Sequence, residues 1–556
     1  MGLLSTFFLL ATLSGFAFSS IGPIAHLSIA NKVISPDGYT RAAVLAGGSF
    51  PGPLIKGRKG SEFSINVTDA LTDTSMDLST SIHWHGIFQQ HTNYVDGVSF
   101  VTQCPIVPKE SFVYKFTPVN QAGTYWYHSH FKNQYCDGLR GPLVIYDPND
   151  PHRQLYDIDN DRSVITLSDW YHYVSTVAPT INVANSTLIN GKGRYSGGPT
   201  NVSLAEVYVH HGKRHELTVI EVDGQNVQPL LVDSLQIFAG QRYSVILHAN
   251  QSIGNYWIRA LPNISGANYT NLTNLAILHY DRAPNQNPLT DPTTDIPTSV
   301  LALNETDLHP LVPQSVPGEP VAGGADININ LNVSLVAPLN LHQTDRAHRN
   351  SIPRTTADLS GAKKASDLLP SGSIYGLAPN KSVEITIPAG AAGGPHPVHL
   401  HGHAFHVVRS AGNSTYNFDN PVIRDVVSIG NASTNDNVTI RFFTDNPGPW
   451  FLHCHIDWHL NELAITLNSD WMRFRADESM VPPEVSQWCS LKMSLTSRPR
   501  ILRRMPGRIF AQLTTPSLTR RGTPDHSLHR VWNPLKLLPF TFPLAHGYLH
   551  FSDYHT

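Results

Sequence analysis

Four short segments of this chain each carry two histidines separated by one residue: His83-Trp84-His85, His128-Ser129-His130, His399-Leu400-His401 and His453-Cys454-His455. On a β-strand, residues i and i+2 leave the same face, so each pair offers two imidazoles to one side. Four such pairs supply eight ring nitrogens, a sensible shell for a small multinuclear metal centre. The last pair says more, because Cys454 must then point to the opposite face. It serves a separate metal, joined to the histidine-rich centre by one residue of backbone on either side. A cysteine thiolate with two imidazoles is the ligand set of a blue-copper electron-transfer site. His396, ahead of the third pair, and His459, five residues after Cys454, are the unused histidines. Structural zinc favours closed sets of four ligands, often rich in cysteine, and fits this pattern poorly. A single His-x-His is usually a surface accident; four of them, with a cysteine inside the last, are not.

Pairs of this kind need strands, and the chain supplies them. Short runs rich in Val, Ile, Thr and Tyr, such as 111–116, 143–146, 244–248, 383–387 and 438–443, alternate with Gly, Pro, Asn and Asp. Long helical periodicity is scarce, so the expected fold class is all-β, built of sandwiches. A chain of 556 residues is too long for one core. Breaks at Asp147–Arg153 and in the Pro/Asn-rich stretch Asp281–Val321 divide it into three units, 21–150, 151–297 and 298–492. The outer two carry every histidine cluster. From Met493 the character changes: eight Arg and one Lys stand against two Asp, and 493–556 reads as a disordered, solvated basic tail.

The first twenty residues read as a secretory signal peptide, with an apolar run from Leu3 to Ala17 followed by Ser19 and Ser20. Asn-x-Ser/Thr sequons are dense, Asn66, Asn185, Asn250, Asn413 and Asn437 among them, which favours a secreted, extracellular glycoprotein. No other run is long and apolar enough to span a membrane. A net charge of -3 points to no nucleic-acid partner. Of the four cysteines, Cys104, Cys136, Cys454 and Cys489, the metal claims one, which leaves one disulfide at most and an odd thiol.

These segments resemble the copper signatures of fungal laccases. The resemblance covers most of residues 20–490 and includes Asp96-Gly97, Thr102-Gln103-Cys104-Pro105-Ile106, the 134–142 stretch, Ile237-Phe238-Ala239-Gly240-Gln241-Arg242-Tyr243 and Asp445-Asn446-Pro447-Gly448-Pro449-Trp450. It implies three cupredoxin-like β-sandwich domains in a monomer, and four copper ions. A type 1 copper would be held by His396, Cys454 and His459. The type 2 copper would take His83 and His399. One type 3 copper would take His85, His128 and His455, the other His130, His401 and His453. Phenols or aromatic amines would give single electrons to the type 1 copper, and dioxygen would be reduced to water at the trinuclear cluster. Asp96 matches an acid that assists proton delivery; alone, an Asp-Gly step reads as a turn. His403 and His406 match no ligand position. His91, His210, His211 and His215 read as exposed or hydrogen-bonded structural residues.

The chain departs from the family in four places. It passes from Arg214 directly to His215, where relatives have roughly two more strands. The second domain is therefore expected to be truncated, and to lack both the usual disulfide partner of Cys136 and the phenol-binding acid. Cys104 can still pair with Cys489, the other family bridge. Leu339–Thr356 is polar where the family has apolar strand sequence. Past His459 one residue is missing, so that Leu463, or alternatively Ala464, takes the axial position; neither coordinates copper, which favours a high reduction potential. The basic tail has no counterpart in the family. The sequence thus reads as a variant, or an imperfectly spliced gene model, of a laccase. The alternatives are a copper-binding but catalytically impaired relative, and another multicopper oxidase such as a metal or ascorbate oxidase.

Overall fold

The structure is a computed structural model that describes residues 20–551 apart from 180–181, 210–216, 250, 264–265, 297–298, 332–373, 390–394, 431–435, 460–463, 470–532 and 541–546. Its strands form six sheets, which we group as three sandwiches. In the first, the sheet Arg41–Ala46, Ile24–Ile34, Phe63–Asp69, Ser111–Phe116 faces the sheet Ile55–Arg58, Arg140–Tyr146, Gly123–Ser129, Ile82–His85. The outer sheet shows why these residues make strands. Phe63–Asp69 buries every second residue, and Phe63, Ile65 and Val67 join Leu27, Ile29, Tyr114 and Phe116 in the core. Ile82–His85 and Gly123–Ser129 differ, being buried along almost their whole length. One face of each meets the core, and the other turns toward the rest of the molecule. Trp84 therefore packs inward, edge-on to Tyr114, while His83 and His85 leave on the opposite side.

The third sandwich has the same form. Ile327–Asn330, Ser382–Pro388, Asn437–Phe443, Phe405–Arg409 and Ile423–Arg424 make one sheet. Ile374–Leu377, Ala464–Ser469, Gly448–Cys454, Pro397–Leu400 and Val426–Ser428 make the other. Ala464 opens its strand opposite His453; Leu463, the Leu339–Thr356 departure and residues 1–19 of the leader lie outside the described residues. The 281–321 stretch has little regular structure and runs along the middle sandwich, where the Gln228 and Asp233 amides donate to the His309 and Leu301 carbonyls. Among the described residues, no helix is long and apolar enough to cross a membrane.

The middle sandwich corrects the expectation of a disordered tail. Its six-stranded sheet runs Ser186–Ile189, Val164–Trp170, Asn533–Phe540, Tyr243–Leu247, Leu217–Val222, Gln225–Val232. Its five-stranded sheet runs Glu206–Val209, Leu275–Tyr280, Asn255–Pro262, Gly547–Phe551, Ser234–Ile237. Two of these strands come from the 493–556 tail that was expected to be disordered. The deficit of about two strands expected in this domain is thus made up from the far end of the chain. The expectation failed because composition averaged over the tail lets its arginines hide two short runs, Pro-Leu-Lys-Leu-Leu-Pro-Phe and Tyr-Leu-His-Phe.

Candidate metal centre

Two antiparallel ladders deliver the four histidine pairs. In the first sandwich His83 stands opposite His128, and His85 opposite Trp126. In the third, His399 stands opposite His453, and Val398 opposite Cys454. The two ladders face each other, and eight buried imidazoles converge between them. Three all-histidine groups of ligand atoms result, each within 4.8 Å: His83, His85 and His399; His85, His128 and His455; His130, His401 and His453; Asp96 joins His83 and His401 within the same distance. Every group draws on both outer sandwiches. The fourth group, Cys454 with His396 and His459, belongs to the third sandwich alone, with Cys454 Sγ 3.5 Å from Nδ1 of each histidine. All eleven residues singled out in the sequence are brought together.

Hydrogen bonds decide which nitrogen of each ring is available. The Nδ1–H groups of His83, His128, His399 and His453 donate to the carbonyl oxygens of Asp96, Ser129, Asp425 and Cys454 at 2.7, 2.9, 2.8 and 2.8 Å. His401 Nδ1 donates to Asp96 Oδ2 at 2.8 Å. Each bond fixes a tautomer with its lone pair on Nε2. His85 is reversed: Nε2 lies 3.3 Å from Asp425 Oδ1, which leaves Nδ1. Burial, the first cause, and neighbouring imidazoles hold His85, His128, His130, His399 and His401 well below the usual histidine range, and burial takes His453 down to about 3. These rings are neutral near pH 7.

The donor set fits metal ions. Nε2 of His83, His128, His130 and His399 is buried without any hydrogen-bond partner. Nε2 of His401 and Nε2 of His453 lie 3.1 Å apart, yet each ring has its proton on the other nitrogen, so two lone pairs face each other. His85 Nδ1 lies 3.2 Å from His455 Nε2, and His455 Nδ1 is buried without a hydrogen-bond partner. Unshared lone pairs at hydrogen-bond distance are repulsive in a buried site, and a cation between them removes the conflict. At the fourth group one soft sulfur and two ring nitrogens surround a common point. The His396 and His459 rings stack there at 4.9 Å, and burial, then His396, lowers His459 to about 3.

A supporting layer escaped the sequence analysis. Asp425 gives its carbonyl to His399 and a carboxylate oxygen to His85. Arg242, from the middle sandwich, grips both oxygens of Asp425 at 2.6 and 2.7 Å. Its backbone amide donates to Asp223 Oδ1, and its Nε to the Thr124 carbonyl of the first sandwich. Gly240, at φ +86°, comes so close that a Cβ would lie 3.0 Å from Val426 and 3.1 Å from the His455 ring. The signal for Gly240 and Arg242 was present in the 237–243 stretch, which carried no assigned role; Asp425 sits in no motif. Asp96 does stand at a turn, as the Asp-Gly step suggested. It follows the single turn Asn93–Val95, and Gly97 takes φ +92° where a Cβ would stand 1.8 Å from the Ile82 carbonyl oxygen. That turn carries the carboxylate into the cluster.

The other histidines and the cysteines fall as follows. His403 is buried against Trp450, with Nδ1 on the His401 carbonyl, and His406 lies buried in a ladder opposite Arg441; neither belongs to a ligand group. His91 is exposed, and His210, His211 and His215 lie outside the described residues. Cys104 is disulfide-bonded, while Cys489 lies outside the described residues. Cys136 is a buried thiol without a disulfide, 3.6 Å from the Asp457 carbonyl.

Comparison with known proteins agrees with this geometry. Family models described as multicopper oxidase match residues 28–150, 161–217 with 214–283, and 334–466. The middle match comes in two pieces that meet at 214–217. Laccase-5 of Trametes villosa is 51% identical over 86% of this chain and 95% of its own length. A laccase of Trametes hirsuta is 50% identical over 87% of this chain and 96% of its own. The crystal structure of a laccase from Botrytis aclada superposes with a TM-score of 0.68 at 30% identity, covering 86% of this chain and 92% of that one. The fold is thus the cupredoxin-like one of those enzymes, and its cofactors are four copper ions, one of type 1, one of type 2 and two of type 3. This chain belongs to the multicopper oxidases, among the fungal laccases.

Proposed function

We infer that this chain is a laccase-type oxidase that takes single electrons from phenols or aromatic amines and passes them to dioxygen. The observation that carries this reading is Cys454 standing between His453 and His455, with a different ligand group on each face of one strand. His396, Cys454 and His459 would hold the type 1 copper, and His83 and His399 the type 2 copper. His85, His128 and His455 would hold one type 3 copper, and His130, His401 and His453 the other. When bound, the coppers accept electrons one at a time and supply four to dioxygen, which becomes water.

The remaining steps belong to the protein. His459 is the least buried member of its group, so a reducing substrate meets the site on its side. The Cys454 carbonyl accepts the Nδ1–H of His453, and the next residue is His455, so two short routes leave the thiolate for the histidine-rich centre. Asp96 orients His401 through Oδ2 and His83 through its carbonyl, while its Oδ1, 3.3 Å from His83 Nδ1, accepts no hydrogen bond and is placed to hold a proton for the oxygen being reduced. The buried rings keep bulk water away from the centre. The apolar leader and the sequons support secretion, and the partners we propose are dioxygen and a small phenol or aromatic amine, for a monomer free of membrane and nucleic acid.

The test is expression with copper, followed by metal analysis, visible spectroscopy and oxygen uptake with a methoxyphenol. Four coppers, a blue thiolate band and phenol-dependent oxygen uptake are expected, and Cys454→Ser removes the band. A Cys454→Ser protein that stays blue sinks the type 1 assignment. Copper and colour without oxygen uptake would instead identify a catalytically impaired relative.

A further inference from the structure

We propose that the C-terminal segment is an internal strand donor whose first strand, Asn533–Phe540, holds the Tyr243–Leu247 strand and thereby anchors Arg242 behind His85 and His399. Both tail strands fill interior positions, not edges. Asn533–Phe540 pairs antiparallel with Tyr243–Leu247, Lys536 opposite Ser244, and parallel with Val164–Trp170, Leu537 opposite Ile165. Gly547–Phe551 pairs with Ser234–Ile237 and Asn255–Pro262, Leu549 standing opposite both Leu235 and Ala260. Without the tail, all four neighbours would expose a row of backbone donors and acceptors inside a sandwich.

The link to the site is short. Arg242 immediately precedes the strand Tyr243–Leu247, which is flanked by Leu217–Val222 on one side and by the tail strand on the other. From there Arg242 holds Asp425, whose carbonyl and carboxylate orient His399 and His85. Gln241 Nε2 donates to the Val426 carbonyl, and Asp223, which accepts the Arg242 amide, also accepts that of Val426. The far end of the chain is thus three contacts from the ligands. Pro534 and Pro539 deprive the donor strand of two ladder N–H groups, so it is seated less firmly than an ordinary interior strand. The covalent tether compensates by keeping the local concentration of the segment high.

Two measurements on the full-length protein test this without relying on oxidase activity, so the proposal stands or falls apart from the assigned function. In the double variant Ser244→Cys/Lys536→Cys the two substituted positions are register partners, and peptide mapping after mild oxidation should find them joined. A control mixture of the two single variants, Ser244→Cys and Lys536→Cys, should not cross-link. Absence of the first cross-link, or equal yield from both, overturns strand donation. Hydrogen exchange then compares the full chain with one ending at Trp532. Amides of Tyr243–Leu247 and Val164–Trp170 should exchange at least tenfold faster in the shorter chain, and so should the Val426 amide, while Phe63–Asp69 stays unchanged. If the shorter chain does not fold, the oxidised and reduced forms of the first variant give the same comparison, the oxidised form exchanging more slowly at Val426. An unmoved Val426 amide overturns the link to the metal centre.

Discussion

Replacing Arg242 by methionine asks whether the layer behind the imidazoles is held by charge pairing. Arg242 is completely buried, and its terminal nitrogens meet the two oxygens of Asp425 at 2.6 and 2.7 Å. Burial pushes the Asp425 carboxyl up to about 6, although Arg242 opposes the shift. Methionine retains much of the volume and removes the charge. Breaking a buried pair from one side costs about 3–5 kcal/mol, because the remaining charge has no partner. A carboxylate can escape part of that cost by taking up a proton, so the cost depends on pH. The folded-state value of Asp425 lies above the unfolded value of 3.8, so its protonated form favours the fold, and stability is lost as pH rises from about 4 through about 6. Without Arg242 the folded-state value climbs further, and the loss continues to higher pH. At pH 5 the variant keeps Asp425 protonated and loses only hydrogen bonds and packing, roughly 1–2 kcal/mol. At pH 8 the full cost of about 3–5 kcal/mol should appear. Urea unfolding of the copper-free chain at both pH values measures the two costs. Adding Asp425→Leu should recover much of the loss at pH 8. The same destabilisation at pH 5 and pH 8, or no recovery in the double variant, would refute the reasoning.

Asp96→Asn keeps the size of the side chain but cannot accept and release a proton; oxygen uptake should fall by about 10–100-fold with copper content nearly intact, and an unchanged rate would remove Asp96 from proton delivery. Gly97→Ala places a Cβ 1.8 Å from the Ile82 carbonyl oxygen, so the chain should lose at least ~3 kcal/mol or fail to accumulate as soluble protein, and a melting temperature equal to the parent's would contradict the fit. The Asp69 side chain is buried and accepts only the Leu71 amide, on Oδ1; burial raises its carboxyl to about 7. With the folded value above the unfolded one, stability falls as pH rises from about 4 to about 7, so Asp69→Asn should gain in melting temperature relative to the parent between pH 5 and pH 8.

The ligands could be read from sequence because two local regularities coincide there. Strand periodicity places His83 with His85, and His453 with His455, on one face whatever the rest of the chain does. Copper chemistry then assigns Cys454 to the other face. What the sequence did not show is non-local. Asp425 and His85 are 340 residues apart, and Arg242 and Asp425 183, and no period or spacing joins a lone buried carboxylate to a lone buried guanidinium. The tail strands were missed for the same reason: a short apolar run becomes an interior strand only when a gap of matching length exists elsewhere, and here that gap lies about three hundred residues upstream.

The division of ligands between the sandwiches has an energetic consequence. Each group in the histidine-rich centre takes residues from both the first and the third sandwich, whereas the Cys454 group takes all of its residues from the third. An ion in the shared centre therefore stabilises the docking of two domains, and weak docking lowers the affinity of the centre by the same free energy, since ligand binding and assembly are linked. The Cys454 group carries no such linkage. Arg242 bears on this difference directly. By holding Thr124 of the first sandwich and Asp425 of the third, it fixes part of the docked arrangement before any ion binds. Preorganisation of this kind reduces the ordering cost left to the ion. The middle sandwich, which contributes no ligand among the described residues, therefore acts on the centre through the spacing of its two neighbours, and its completion by the C-terminal strands bears on copper binding.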